Sequence, residues 1–325
     1  MAIMTMVQAV QSALAAKLAE DDRVVVYGED VGVEGGVFRA TQDLQKRFGP
    51  ERVFDTPLAE SALVGTAVGM CAAGLRPVVE IQFSGFIWPG FNQLVAHVAR
   101  YNNRSQGRYP MPMVIRTPYG GGVRALEHHS DSEEAYFAHT PGLKVVIPST
   151  PHDAKGLLIS AIESEDPVVF MEPKRIYRAI KQEVPEGSFT IPIGKAKVVA
   201  EGDHLTVATY GAMVRDVQKA MVLAAKEGIR VELVDLRSIY PLDRETLAAS
   251  VKKTGRLLVV SESPSFASIA SEVMASAVED AFLYLEAPPA RLTGFDTVIP
   301  LPRGELLYLP EPERVFHAIK TSVEY

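Results

Sequence analysis

The chain has 325 residues, 47% of them hydrophobic and 22% charged, with a net charge of −7. This is the composition of a soluble globular chain with room for two domains, and the acidic balance argues against nucleic acid as the main partner. Cys71 is the single cysteine, which excludes a disulfide within the chain and leaves a buried structural thiol as the expectation. The opening MAIMTMVQAV has no basic n-region, no long apolar core and no Arg-rich transit character. No targeting or membrane segment is expected there, so the expected location is cytoplasmic, in a bacterium or archaeon.

Short apolar runs alternate with amphipathic stretches, which predicts an α/β fold with a largely parallel sheet. In the first half the pattern predicts strands at 23–27, 77–82, 113–117, 144–148 and 167–171. Helices are expected at 40–47, 60–73, 91–102, 133–139 and 153–164. From 174 to 203, basic residues with Pro185, Gly187, Pro192 and Gly194 break any period, which reads as linker and hairpin. A second α/β unit follows, with strands at 205–209, 230–236 and 257–261 and helices at 213–225, 244–252 and 267–283. A last helix is expected at 313–321, after a Pro-rich stretch. The second unit shows no concentration of catalytic residue types at strand ends, so a docking or assembly role is expected of it.

Several common sites are excluded. No GxGxxG opens a helix after a strand, and no GxxxxGK[ST], zinc-spaced Cys/His cluster or GxSxG elbow is present. Three stretches stand out instead. The first is Phe54-Asp55-Thr56-Pro57-Leu58-Ala59-Glu60, where a turn delivers a carboxylate into the first turn of a helix. The helix dipole alone accounts for an acid there. The apolar neighbours Leu58, Leu63 and Val64 would also desolvate it, which suits an acid that shares a proton near neutrality. Within the same helix, Gly65 and Gly69 share one face and permit close packing, expected to be against another chain. The second stretch is Gly120-Gly121-Gly122 followed by His128 and His129, a backbone able to approach a ligand next to two proton-transfer candidates. The third is Phe83-Ser84-Gly85-Phe86-Ile87-Trp88, either core packing or an aromatic platform for a planar ring.

Taken in order, these stretches resemble one family. Gly28-Glu29-Asp30-Val31-Gly32, Asp55-Thr56-Pro57-Leu58-Ala59-Glu60, Glu80-Ile81-Gln82-Phe83, Gly120-Gly121-Gly122 and His129-Ser130-Asp131-Ser132 resemble the beta subunit of thiamine-diphosphate-dependent 2-oxo-acid dehydrogenases. Pro148-Ser149-Thr150-Pro151, Asp153-Ala154-Lys155-Gly156 and Glu172-Pro173-Lys174-Arg175 extend the resemblance over nearly the whole chain. It implies a thiamine-diphosphate-binding pyrimidine domain with a parallel sheet at 1–185, a linker at 186–202, and a transketolase-like C-terminal α/β domain at 203–325. It implies that Glu60 hydrogen-bonds the aminopyrimidine ring, that Phe86 packs against that ring, and that Leu58, Gln82 and Glu29 belong to the cofactor site. His129 matches the active-site histidine.

Single-chain thiamine enzymes carry Gly-Asp-Gly for the magnesium diphosphate, whereas here Gly202-Asp203 is followed by His204. The resemblance therefore implies half a site. Thiamine diphosphate would be shared with an alpha chain, which would hold most of the magnesium, in a heterotetramer of two alpha and two beta chains. That assembly would decarboxylate a small 2-oxo acid oxidatively and pass the acyl group to a lipoyl-bearing acyltransferase core. The run Arg124-Ala125-Leu126-Glu127-His128-His129-Ser130 resembles pyruvate-type chains, and Ile87-Trp88-Pro89-Gly90-Phe91 branched-chain types. Pyruvate is the expected substrate, with branched-chain 2-oxo-acid and acetoin dehydrogenase beta subunits as alternatives. A non-catalytic assembly subunit is the remaining alternative, and the presence of both Glu60 and His129 argues against it.

Overall fold

The structure, a computed structural model, describes residues 1–325, whose contacts gather into two units. One contains Met1–Tyr119 and Tyr136–Ile193, and the other contains Gly120–Ala135 and Gly194–Tyr325.

In the first unit, parallel strands run in the spatial order Lys144–Val146, Val168–Pro173, Val114–Tyr119, Arg76–Glu80, Val24–Gly28, Val53–Asp55. Val24–Gly28, Arg76–Glu80, Val114–Tyr119 and Val168–Pro173 are buried along their whole length, as befits strands covered on both faces. Helix Pro151–Glu163 starts where the Thr150 hydroxyl accepts the Asp153 amide at 3.1 Å and Pro151 occupies the first turn. The structure adds a helix, Met6–Glu20, to the elements expected from sequence. Its start is a capping box: Thr5 N donates to Gln8 Oε1 at 2.9 Å and Gln8 N donates to Thr5 Oγ1 at 3.4 Å. It packs its Ala, Val and Leu face on Pro151–Glu163.

Two expected helices are shorter or interrupted. That at 40–47 is confined to Leu44–Phe48, because Asp43 lies in the left-handed region at φ 61° and cannot continue a helix backward. That at 91–102 is broken by a widened π turn over Leu94–Val98, between Trp88–Gln93 and Tyr101–Arg104. The stretch read as a hairpin is not one. Lys181–Val184 pairs antiparallel with Ala2–Thr5, while Lys197–Ala200 pairs antiparallel with Val231–Asp235.

The second unit carries its own sheet, ordered Ala290–Leu292, Leu257–Val260, Leu205–Thr209, Val231–Asp235, Lys197–Ala200. All but the last pairing are parallel. Helices Met213–Lys226 and Pro312–Glu324 share one apolar layer, where Val214, Val217 and Ala220 meet Val315 and Ile319 over Leu205, Val207 and Leu233. No helix is long and apolar enough to cross a membrane.

Candidate active site

In the first unit, three neighbouring parallel strands end together. Gly28 is in register with both Asp55 and Glu80, so Glu29, the turn from Thr56 to Glu60, and Gln82 all emerge at one sheet edge. This is the carboxyl end of the strands, where open α/β sheets bind ligands. Glu60 begins helix Glu60–Ala72. Glu29 is buried at 8% exposure, and burial pushes its carboxyl pKa up, with the charges of Glu60 and Asp30 pushing the same way. Proton affinity at this edge is thus raised on Glu29, a residue that no local pattern separates from its neighbour Asp30.

Gln82 Nε2 donates to Asp30 Oδ2 at 3.0 Å. Phe86 closes the short turn Ser84–Phe86 and meets Phe83 edge-on at 5.5 Å between ring centres. Phe83 meets Phe38 at 5.4 Å, and Phe38 meets Tyr177 at 5.1 Å. Leu58 is 77% exposed, an apolar side chain on the surface of this chain beside the acid pair in sequence. The Thr56 hydroxyl is buried and without a hydrogen-bond partner.

Sequence reading missed what lies behind this edge. Arg116 donates through Nη1 to Glu80 Oε2 at 2.7 Å, and through Nε and Nη2 to Glu172 at 2.7 and 3.0 Å. Tyr177 donates to Glu172 Oε2 at 2.5 Å. All four are buried, and burial raises the pKa of Glu80 against the pull of Arg116. The signal was available: a charged residue inside each of three apolar strand runs demands a buried partner. The aromatic chain from Phe86 ends on this ionic group through Tyr177, so the Phe86 ring is backed by a buried ionic group.

His129 belongs to the segment grouped with the second unit. The strand Val114–Tyr119 ends and the loop begins at Gly120, whose N–H donates to Asp131 O at 2.8 Å. His129 sits in a single 3₁₀ turn, Glu127–His129, with its amide donating to Leu126 O at 3.0 Å. His128 is exposed and lies 3.7 Å from Asp131. The close approach that the glycines allow is to the chain's own carboxylates: a Cβ on Gly120 would stand 2.8 Å from Glu262 Oε1. Gly121 N donates to Glu262 Oε2 at 2.9 Å. Gly122 N and Arg124 N donate to Glu305 Oε1 and Oε2, each at 2.8 Å. Further along, Tyr210 donates to Glu134 Oε1 at 2.6 Å, and burial raises the Glu134 carboxyl. Tyr210 and Glu262 follow the neighbouring strands Leu205–Thr209 and Leu257–Val260, so the histidine segment is fastened at that sheet's carboxyl edge.

Comparison with known proteins defines the class. Residues 2–180 match the transketolase pyrimidine-binding domain and residues 194–315 the transketolase C-terminal domain. A solved structure described as a split-gene transketolase, an inactive beta4 tetramer, shares the fold with a TM-score of 0.80 at 22% identity, covering 99% of each chain. Among curated relatives, the pyruvate dehydrogenase E1 component subunit beta of Acholeplasma laidlawii is 56% identical over 97% of this chain and 96% of its own. The subunit of the same name from Bacillus subtilis strain 168 is 51% identical over the full length of both. That of Mycoplasma genitalium is 48% identical over 96% of each. The chain belongs to the family of pyruvate dehydrogenase E1 component beta subunits.

Proposed function

We propose that this chain supplies the pyrimidine half of a thiamine diphosphate site in a pyruvate dehydrogenase of two alpha and two beta chains. The observation that carries this is the acid edge of the first unit, in a chain whose full-length relatives bear that enzyme's name. The residues fit the group. A basic aminopyrimidine matches Glu60 set beside a carboxyl, Glu29, whose proton affinity burial has raised. Phe86, held edge-on by Phe83, offers a ring for stacking, and Leu58 and Gln82 would line the same edge.

Bound here, thiamine diphosphate would supply the carbanion chemistry that removes carbon dioxide from a 2-oxo acid. Glu60 would hold a proton at the pyrimidine ring nitrogen, and Glu29 would hold the next proton inward. His129 would move protons at the substrate side. The diphosphate and magnesium would be held mainly by the alpha chain, because the Gly-Asp-Gly segment is missing here. The helix Glu60–Ala72 leaves room for an alpha or beta contact at Gly69, which has nothing within 4 Å of where a Cβ would stand, whereas a Cβ on Gly65 would meet the Gln93 side chain at 3.5 Å. The product acyl group would pass to a lipoyl-bearing acyltransferase core, in the cytoplasm.

The test is reconstitution. The purified chain alone is expected neither to bind thiamine diphosphate with magnesium tightly nor to decarboxylate 2-oxo acids. Mixed with its alpha chain it should turn over pyruvate faster than 3-methyl-2-oxobutanoate or acetoin. Micromolar cofactor binding by the isolated chain in calorimetry would sink the half-site reading. A reversed substrate order would replace pyruvate with the branched-chain or acetoin alternative.

A further inference from the structure

The loop that carries His129 has an unusual anchorage. Its backbone passes through the left-handed region at Gly120, Gly122 and Arg124, and Arg124, at φ 57°, does so without the freedom of glycine. Amides exposed by such turns need acceptors. Here they receive two carboxylates, Glu262 and Glu305, from distant parts of the sequence. Glu305 is 1% exposed and opens the short helix Glu305–Tyr308. Each of its oxygens takes one amide, from Gly122 and Arg124, at 2.8 Å, and the Ser130 hydroxyl donates to Oε1 at 3.5 Å. Ser130 adjoins His129. A charge-assisted hydrogen bond is stronger than a neutral one, and the two oxygens fix both the place and the angle of the loop.

Burying a carboxylate is costly unless its oxygens are satisfied. This one is satisfied by the histidine loop, so the folded position of Glu305 and that of the loop are mutually dependent. Packing enforces the same geometry, since a Cβ on Gly121 would come within 2.9 Å of Ile299 and 3.2 Å of Leu309. We infer that Glu305 is a positioning residue for His129: it clamps the Gly122–Ser130 backbone so that the imidazole is presented in a single place. The inference rests on the proposed role of His129 in proton transfer, while the clamp itself rests on the amide contacts alone.

The experiment uses the heterotetramer reconstituted with the alpha chain. Glu305→Ala, Glu305→Gln, His129→Ala and the Glu305→Ala/His129→Ala double variant are compared. In hydrogen-exchange mass spectrometry, peptides spanning 120–132 should exchange at least about tenfold faster in Glu305→Ala than in the parent, with the remaining strands unchanged. Glu305→Gln keeps one acceptor oxygen and turns an N–H₂ toward the other amide, so it should fall between the two. Turnover should drop at least about tenfold with the 2-oxo-acid KM moved less, and the double variant should be no slower than His129→Ala.

Unchanged exchange over 120–132 would overturn the clamp, and so would penalties of the two single variants that multiply. If His129→Ala turns over like the parent, the proposed role of His129 fails instead. Faster exchange in Glu305→Ala would then leave the clamp standing as a loop anchor. Should Glu305→Ala not assemble, Glu305→Gln carries both measurements.

Discussion

Glu29 and Glu305 are both buried carboxylates, and their surroundings treat them in opposite ways. Around Glu29, burial and the charges of Glu60 and Asp30 all act against ionisation. Around Glu305, two backbone amides and a hydroxyl donate to the oxygens and tie them to one loop. The first arrangement suits a group that takes up and releases a proton. The second suits a group whose task is to hold a backbone. The same residue type is therefore suited to proton exchange in one setting and to scaffolding in another, and neighbours decide which.

The ionic group behind the first edge is a third case, in which two carboxylates share one guanidinium. Its removal should have the largest effect. Arg116→Met would keep the volume and leave Glu80 and Glu172 buried without their cation. Breaking a buried ionic group from one side costs about 3–5 kcal/mol. Chemical denaturation of the variant should show a loss of that order, with the Phe83 and Phe86 rings loosened through Tyr177. A change below about 1 kcal/mol would mean that this buried ionic group contributes little to stability.

Next in size is the edge proposed to hold the cofactor. Glu60→Gln retains shape but cannot manage a proton, so reconstituted turnover should fall by at least about 100-fold while assembly survives. Near-parent turnover would return Glu60 to being a first-turn helix acid, and the contrast between the two carboxylate environments would lose its functional meaning.

How much of this was visible beforehand follows from the range of each interaction. Parallel strands announce themselves by apolar runs, and most of the elements fell within a few residues of their places. The capping box at Thr5 and Gln8 was also local, yet an N-terminus read for targeting signals conceals a helix. Glu60 and Gly120–Gly122 carry local signatures of their own. Their partners do not. Glu262 and Glu305 lie more than a hundred residues from the amides that they accept, with |i−j| of 141 and 183. Nothing in the sequence around Glu305 distinguishes it from a solvated first-turn acid. Arg116, Glu80 and Glu172 were individually conspicuous as charges in apolar strands, but only the sheet order brings them to one point.

The smallest expected effect tests Glu29 directly. Its carboxyl pKa is raised above the usual 4.5, so the folded chain keeps this proton at a pH where the unfolded chain has released it. Wherever the folded state binds more protons, stability falls as pH rises. The loss from this residue begins near pH 4.5 and is complete once the pH has passed the raised value. The slope from one group cannot exceed about 1.4 kcal/mol per pH unit. Glu29→Gln mimics the protonated acid and removes that part of the slope. Glu80 and Glu134, also raised by burial, contribute with the same sign and are unchanged by the substitution. The informative quantity is therefore the difference between parent and variant, measured by thermal unfolding from pH 4.5 to 7.5. The variant should gain relative to the parent as pH rises. Parallel curves would mean that Glu29 ionises as an ordinary surface acid, and the raised proton affinity assigned to that edge would have to be sought on another group.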